Sequence, residues 1–333
     1  MDYKQIVKNI RDGRFEKIYF LHGEEPFFID LITEEIINNA LESHERDFNQ
    51  VMIYGREAEP LSLMSELKAY PMMGMRKLVI LKEAQDFGKL EQLETYCESP
   101  VENTIFVINF KYKNFDSRKR IAKAAGKNGI FFKSEKIKDY LLADWVQSQV
   151  KIAGFTISSK ACMLLIESIG NDLNRLSSEI DKLSIILEKG TAINDTHIEE
   201  NIGISKDYNV FELTNALAQR DFLKALRIVD YFEHNPRATD MVVVVGNLFK
   251  FFSQLMRIHF IPNKAKEAVA ASLKVHPFVA GELINATRNF SPKVIAKNVE
   301  VLYEYDLKSK GVGSTGNISQ GQLMREMIFQ LLH

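Results

Sequence analysis

Up to residue 136, short apolar runs alternate with stretches in which apolar side chains recur every three or four positions. Unbroken apolar runs of roughly four to eight residues are the signature of strands covered on both faces, as in a parallel sheet. Ile18–Leu21, Val51–Tyr54, Leu78–Leu81, Ile105–Ile108 and Ile130–Phe132 are accordingly predicted strands. Between them, a predicted helix starts near Pro26 and places Phe28, Leu31, Ile32, Ile36 and Ile37 on one face. Another starts at Pro60 and carries Leu63, Met64 and Leu67. Proline suits a first helical turn, where its missing N–H would be unbonded in any case. This alternation predicts an α/β domain with a parallel sheet over residues 1–136.

After Lys136 the rhythm changes and no further strand is predicted. Trp145, Val146 and Val150 begin a helical stretch, and Ser158-Ser159 supply a cap before Ala161, Leu164, Leu165 and Ile169. Gly170-Asn171-Asp172 interrupts the pattern. Leu173, Leu176, Ile180, Leu183 and Leu187 then follow at helical spacing, and Asn194-Asp195 can cap a short helix. Residues 137–208 read as a small helical domain and residues 209–333 as a helical bundle. In the bundle, Asp240 is placed to cap a long helix with Val244, Val245, Leu248, Phe252, Leu255 and Met256 inward. Pro236, Pro262, Pro277 and Pro292 mark helix starts or breaks.

Composition narrows the class. Of 333 residues, 46% are hydrophobic and 26% charged, which excludes wholesale disorder. Cys97 and Cys162 stand alone, too few for a disulfide scaffold or a metal knuckle, and suggest a reducing compartment. The aliphatic run Met241–Val245 is far shorter than a bilayer crossing, and Met1–Gln5 lacks the apolar run of a secretory leader. A soluble cytoplasmic protein with no membrane partner is expected. The net charge is −1, with 28 basic against 33 acidic residues over 1–208 and 15 against 11 over 209–333. The densest basic stretch runs from Lys111 to Lys136.

The first strand–helix turn is where such a sheet would bind phosphate. A phosphate loop needs G-x-x-x-x-G-K-[ST], so that backbone N–H groups and a lysine converge on the anion. This chain instead reads His22-Gly23-Glu24-Glu25-Pro26, with one glycine, no lysine and two carboxylates. After Leu78–Leu81 comes Lys82-Glu83 rather than an Asp-Glu pair, and Asn109 after the fourth strand reads as a turn residue. The histidines are scattered, with no H-E-x-x-H and no G-x-S-x-G, so no metal, cofactor or catalytic residue is predicted. Tyr70-Pro71-Met72-Met73-Gly74-Met75 is a connector with three methionines. Met72 and Met73 fit either a plug at the edge of the sheet or an adaptable binding surface. The basic stretch carries Tyr112 and Phe115. It fits a solvated helix face, with an anionic partner as the other reading for Arg118, Lys119, Arg120 and Lys123.

Taken in order, several segments resemble the delta subunit of the bacterial DNA polymerase III clamp loader. They are Ile18–Phe28, Tyr70-Pro71-Met72-Met73 and Asp116–Arg120, then Gly170-Asn171-Asp172-Leu173 with Glu179–Leu183, and finally His276-Pro277-Phe278 and Tyr305–Lys308. The resemblance implies an AAA+-like α/β domain with a degenerate ATP site over 1–136, a small helical lid over 137–208 and an all-α collar over 209–333. It also implies a non-catalytic subunit of a DNA polymerase holoenzyme that binds and opens the sliding clamp (beta) and loads it onto primed DNA. The implied partners are delta prime and the gamma/tau subunits in a heteropentamer. By position, Pro71, Met72 and Met73 are the clamp-binding residues; the family often has an aromatic where Met73 stands. The alternatives are an AAA+-like ATPase with a non-standard nucleotide site, or a helical adaptor unrelated to clamps.

Overall fold

The five apolar runs form one parallel sheet in a computed structural model that describes residues 2–72, 74–312 and 318–333. The strands are β1 (Ile18–Gly23), β2 (Gln50–Tyr54), β3 (Lys77–Lys82), β4 (Thr104–Lys111) and β5 (Ile130–Ser134). Their order across the sheet is β2-β3-β4-β1-β5, the AAA+-like arrangement. β1 lies between β4 and β5, so Phe20 lies beside both Ile108 and Phe131. Every residue of β1 is buried, which is why it carries no polar alternation. The edge strand β2 is half-covered and reads accordingly.

Helices cover both faces. The first unit contains α1 (Tyr3–Arg11), α2 (Pro26–Asn39), α3 (Arg46–Asn49), α4 (Pro60–Lys68), α5 (Glu94–Glu98) and α6 (Arg120–Asn128). Ile18, Phe20, Val79, Leu81, Phe106 and Ile108 share a core with Leu63 and Leu67 of α4 and Ile121 and Ala125 of α6. Successive strand residues point to opposite faces. α2 packs on β1, β4 and β5, and α1 packs on α2.

The chain divides into two compact units, residues 1–137 and 138–333. The second opens with α7 (Asp139–Ile152), α8 (Ser159–Ile169), α9 (Leu173–Ile186) and α10 (Asp195–Ile202). It continues with α11 (Val210–Ala218), α12 (Phe222–His234), α13 (Met241–Phe260), α14 (Lys266–Leu273), α15 (Pro277–Ala286), α16 (Pro292–Ser309) and α17 (Gln320–Leu332). Ser158, Asp172, Asn194 and Asp240 each accept a backbone N–H in the first turn of the helix that follows. The expectation of no strand beyond Lys136 is corrected. Thr156–Ile157 and Ala192–Ile193 form a two-stranded parallel ladder, β6 and β7, too short to imprint a periodicity. Among the described residues α13 is the helix long and apolar enough to cross a membrane, yet Val244, Leu248, Phe252 and Leu255 lie in a core drawn from residues 210–332. Both cysteines are buried, and burial pushes each thiol up to about 12.

Gly23 ends β1 at φ +143°, and a Cβ there would sit 1.9 Å from the Ser134 carbonyl oxygen, a backbone atom. Gly23→Ala is expected to destabilise the first unit by about 2–4 kcal/mol, read as a lowered urea midpoint.

Candidate functional site

The turn after β1 lies at the carboxyl end of the central strands, where open α/β sheets place ligands. Here the chain's own groups fill it. Glu25 is buried at the N-cap of α2, and its Oε1 accepts the Phe27 N–H at 3.1 Å. A carboxylate thus sits at the helix N-terminus, where a phosphate loop would hold an anion. Ser134 of β5 donates its hydroxyl to the Glu25 carbonyl at 2.6 Å, closing the turn against the sheet. His22 Nδ1 accepts the Phe115 N–H at 3.1 Å, so the neutral ring carries its proton on Nε2. Burial, with the Lys133 charge adding, pulls this imidazole down to about 4.

Beside it, the end of β3 is closed by an internal cation. Lys111, buried at the end of β4, places its ammonium 2.7 Å from Asp30 of α2 and 3.5 Å from Glu83. Gln85 accepts the Lys111 N–H at 3.0 Å. Asn109, expected in a turn, lies inside β4 opposite Leu21 and is fully buried. Its Oδ1 accepts from Thr33 of α2 at 3.1 Å, a strand-to-helix bond, while its Nδ2 is buried without a partner among the described residues. Among the described residues no group of three or more His, Cys, Asp and Glu is placed to hold a metal.

The methionine-rich connector between α4 and β3 presents its side chains to solvent. Tyr70, Met72 and Met75 are 81%, 78% and 83% exposed, which overturns the edge-plug reading for Met72. Met73 lies outside the described residues. Pro71 is half-buried. The backbone is fastened at several points. Met72 N–H donates to Oδ1 of Asn49, a fully buried residue, at 2.8 Å. Gly74 takes φ +69° directly over the Glu45 carboxylate. Arg76 lies 5.0 Å above the Phe15 ring, and the buried Lys77 pairs with Glu66 of α4 at 2.6 Å. Three large apolar side chains within six residues, on a tethered backbone, are suited to enter a partner's pocket. The sequence reading passed over Tyr70 and Met75 as anchors; their place beside Pro71 and Gly74 was the available signal. Asn49, 23 residues away, gave none.

The four basic candidates are separated by their partners. Arg118 pairs with Asp116 at 2.8 Å, Lys119 with Glu91 at 2.5 Å and Arg120 with Glu94 at 3.7 Å. Among the described residues Lys123 has no ion pair; with Arg120 and Lys127 of α6 and Glu98 of α5 it lines a depression.

Residues 19–135 match the family described as DNA polymerase III, delta subunit, and residues 207–332 match its C-terminal domain. DNA polymerase III subunit delta of Bacillus subtilis (strain 168) is 25% identical over 339 residues, covering 98% of this chain and 96% of the relative. The probable DNA polymerase III subunit delta of Aquifex aeolicus (strain VF5) is 22% identical over 227 residues, covering 65% and 63%. Among solved structures, the Bacillus subtilis DNA clamp loader delta protein aligns over 99% of both chains at 22% identity, with a TM-score of 0.56.

The His22 imidazole makes stability depend on pH. In the unfolded chain it takes up a proton near 6.5, whereas in the fold it resists protonation down to about 4. Its contribution is therefore complete above about pH 6.5 and is lost as pH falls towards 4, a change of roughly 2–3 kcal/mol. Urea unfolding at pH 7 and pH 4.5 checks this. His22→Gln is expected to shrink the difference between the two midpoints.

Proposed function

The chain belongs to the DNA polymerase III delta-subunit family, and we propose that it is the non-catalytic clamp-loader subunit that binds the ring-shaped sliding clamp and holds it open for loading onto primed DNA. The observation that carries this reading is the solvent-facing apolar loop at Tyr70–Met75 on a tethered backbone. Met72 and Met73, next to Pro71, enter an apolar pocket on the clamp. Burying a methionine side chain is worth roughly 1.5–3 kcal/mol, enough for each to act as a hot spot. Opening requires no chemistry. A closed ring in equilibrium with an open one shifts by the difference in the loader's affinity for the two states. The α4 helix presents the loop from one side and β3 from the other.

The filled turn after β1 supports a subunit that does not itself hydrolyse ATP. Glu25 holds the helix N-terminus, and Lys111 pairs with Asp30 and Glu83. ATP-dependent changes then come from the gamma/tau neighbours, which with delta prime complete a pentamer in the cytoplasm. Residues 137–208 act as a lid and residues 209–333 as the collar; the self-contained core over 210–332 supports the latter. Of these four basic candidates Lys123 is the one most open to DNA phosphates or an acidic partner, since Arg118, Lys119 and Arg120 already face carboxylates.

Binding of the purified chain to its cognate clamp, followed by surface plasmon resonance, tests the reading. Met72→Ala is expected to weaken the complex roughly 10-fold, and Met72→Ala with Met73→Ala roughly 100-fold. The melting temperature of Met72→Ala is expected to stay unchanged, because Met72 is exposed. Failure of the wild-type chain to bind the clamp would overturn the function, and unchanged affinity of the double variant would overturn the site. Tight ATP binding by the isolated chain would favour the ATPase alternative.

A further inference from the structure

The loop that carries the exposed methionines does not hold its own shape by local bonds alone. Its supports come from the segment that precedes β2. Asn49, the last residue of α3, is fully buried, yet its Oδ1 reaches 23 residues forward to accept the Met72 N–H at 2.8 Å. At the other end of the same short helix, Glu45 lies under Gly74. An ideal Cβ on Gly74 would fall 1.7 Å from Glu45 Oε1, and Gly74 adopts φ +69°, which glycine takes without strain. The Glu45 carboxylate is itself held by the Glu42 N–H at 3.1 Å. One helical turn thus touches the loop on both sides of position 73. Both contacts are on the loop backbone, which turns the Met72 N–H inward while its side chain stays 78% exposed.

We propose that Asn49 is a positioning residue for partner recognition: by accepting the Met72 N–H it fixes the direction in which the apolar anchor leaves the domain. This rests on the clamp-binding reading for the choice of partner, but not for the contact itself. A buried amide side chain is costly unless its bonds are made, and this one has a bond whose geometry serves an exposed loop rather than the sheet. Without the bond the loop samples other directions, and binding must first select the competent one. Apparent affinity then falls by the population of that state.

Two measurements on the full chain test this. In native-state hydrogen exchange followed by NMR, Asn49→Ala is expected to speed exchange at the Met72 amide by roughly tenfold or more, while Val79 and Ile80 in β3 stay protected. Asn49→Asp keeps an acceptor oxygen in place and is expected to retain protection at Met72. In clamp titrations, Asn49→Ala is expected to weaken binding roughly fivefold, and to add nothing once Met72→Ala and Met73→Ala together have removed the anchor. Unchanged exchange at Met72 in Asn49→Ala would overturn the proposal. So would an affinity loss that simply adds to that of the Met72→Ala, Met73→Ala double variant, or a collapse of protection at Val79 and Ile80 in both Asn49 variants. If the wild-type chain does not bind the clamp, the clamp reading fails, and exchange at the Met72 amide still decides the role of Asn49.

Discussion

A helix that begins at the carboxyl end of a parallel sheet presents unbonded N–H groups and a partial positive charge, and something anionic must meet them. In this fold that requirement is met from within, by Glu25 at the head of α2. The same logic runs through the adjoining groups. Lys111 brings a fixed cation to Asp30 and Glu83, and Asn109 is tied to α2 through Thr33. These internal contacts tie the sheet to its covering helix, so that the domain can serve as a mount.

What the mount displays follows from where its backbone is tied. A loop of six or seven residues with large apolar side chains would lose much of its binding free energy to ordering if it hung freely. This one is bounded by α4 and β3, crossed by the Arg76–Phe15 and Lys77–Glu66 contacts, and supported beneath by α3. Exposure of the side chains and restraint of the backbone are separate properties, and both are present at Met72.

The sheet was legible because its strands are covered on both faces, which leaves unbroken apolar runs such as Ile18–Leu21 and Leu78–Leu81. Caps were legible because Ser158, Asn194 and Asp240 act within three residues of their own position. The misses share a different cause. Asn109 and Asn49 are polar residues whose partners lie 76 and 23 positions away, so nothing local distinguishes them from turn residues. β6 and β7 hold two residues each, below any period. For the basic stretch, the sequence displayed the charges of Lys119 and Arg120 but not Glu91 and Glu94, which the fold brings to them. The connector at Tyr70–Met75 showed its composition, while its exposure required the three-dimensional fold.

Cys97 and the loop methionines Met72 and Met75 of the first unit have opposite exposures. The Cys97 thiol is enclosed and held in its protonated form, whereas the thioethers of Met72 and Met75 face solvent. An oxidant diffusing up to the domain meets the thioethers first. Adding one oxygen to either converts a pliable apolar tip into a polar, chiral sulfoxide. The chain would keep its fold and lose the character of its most exposed surface, so that chemical wear would appear as lost association before any loss of structure.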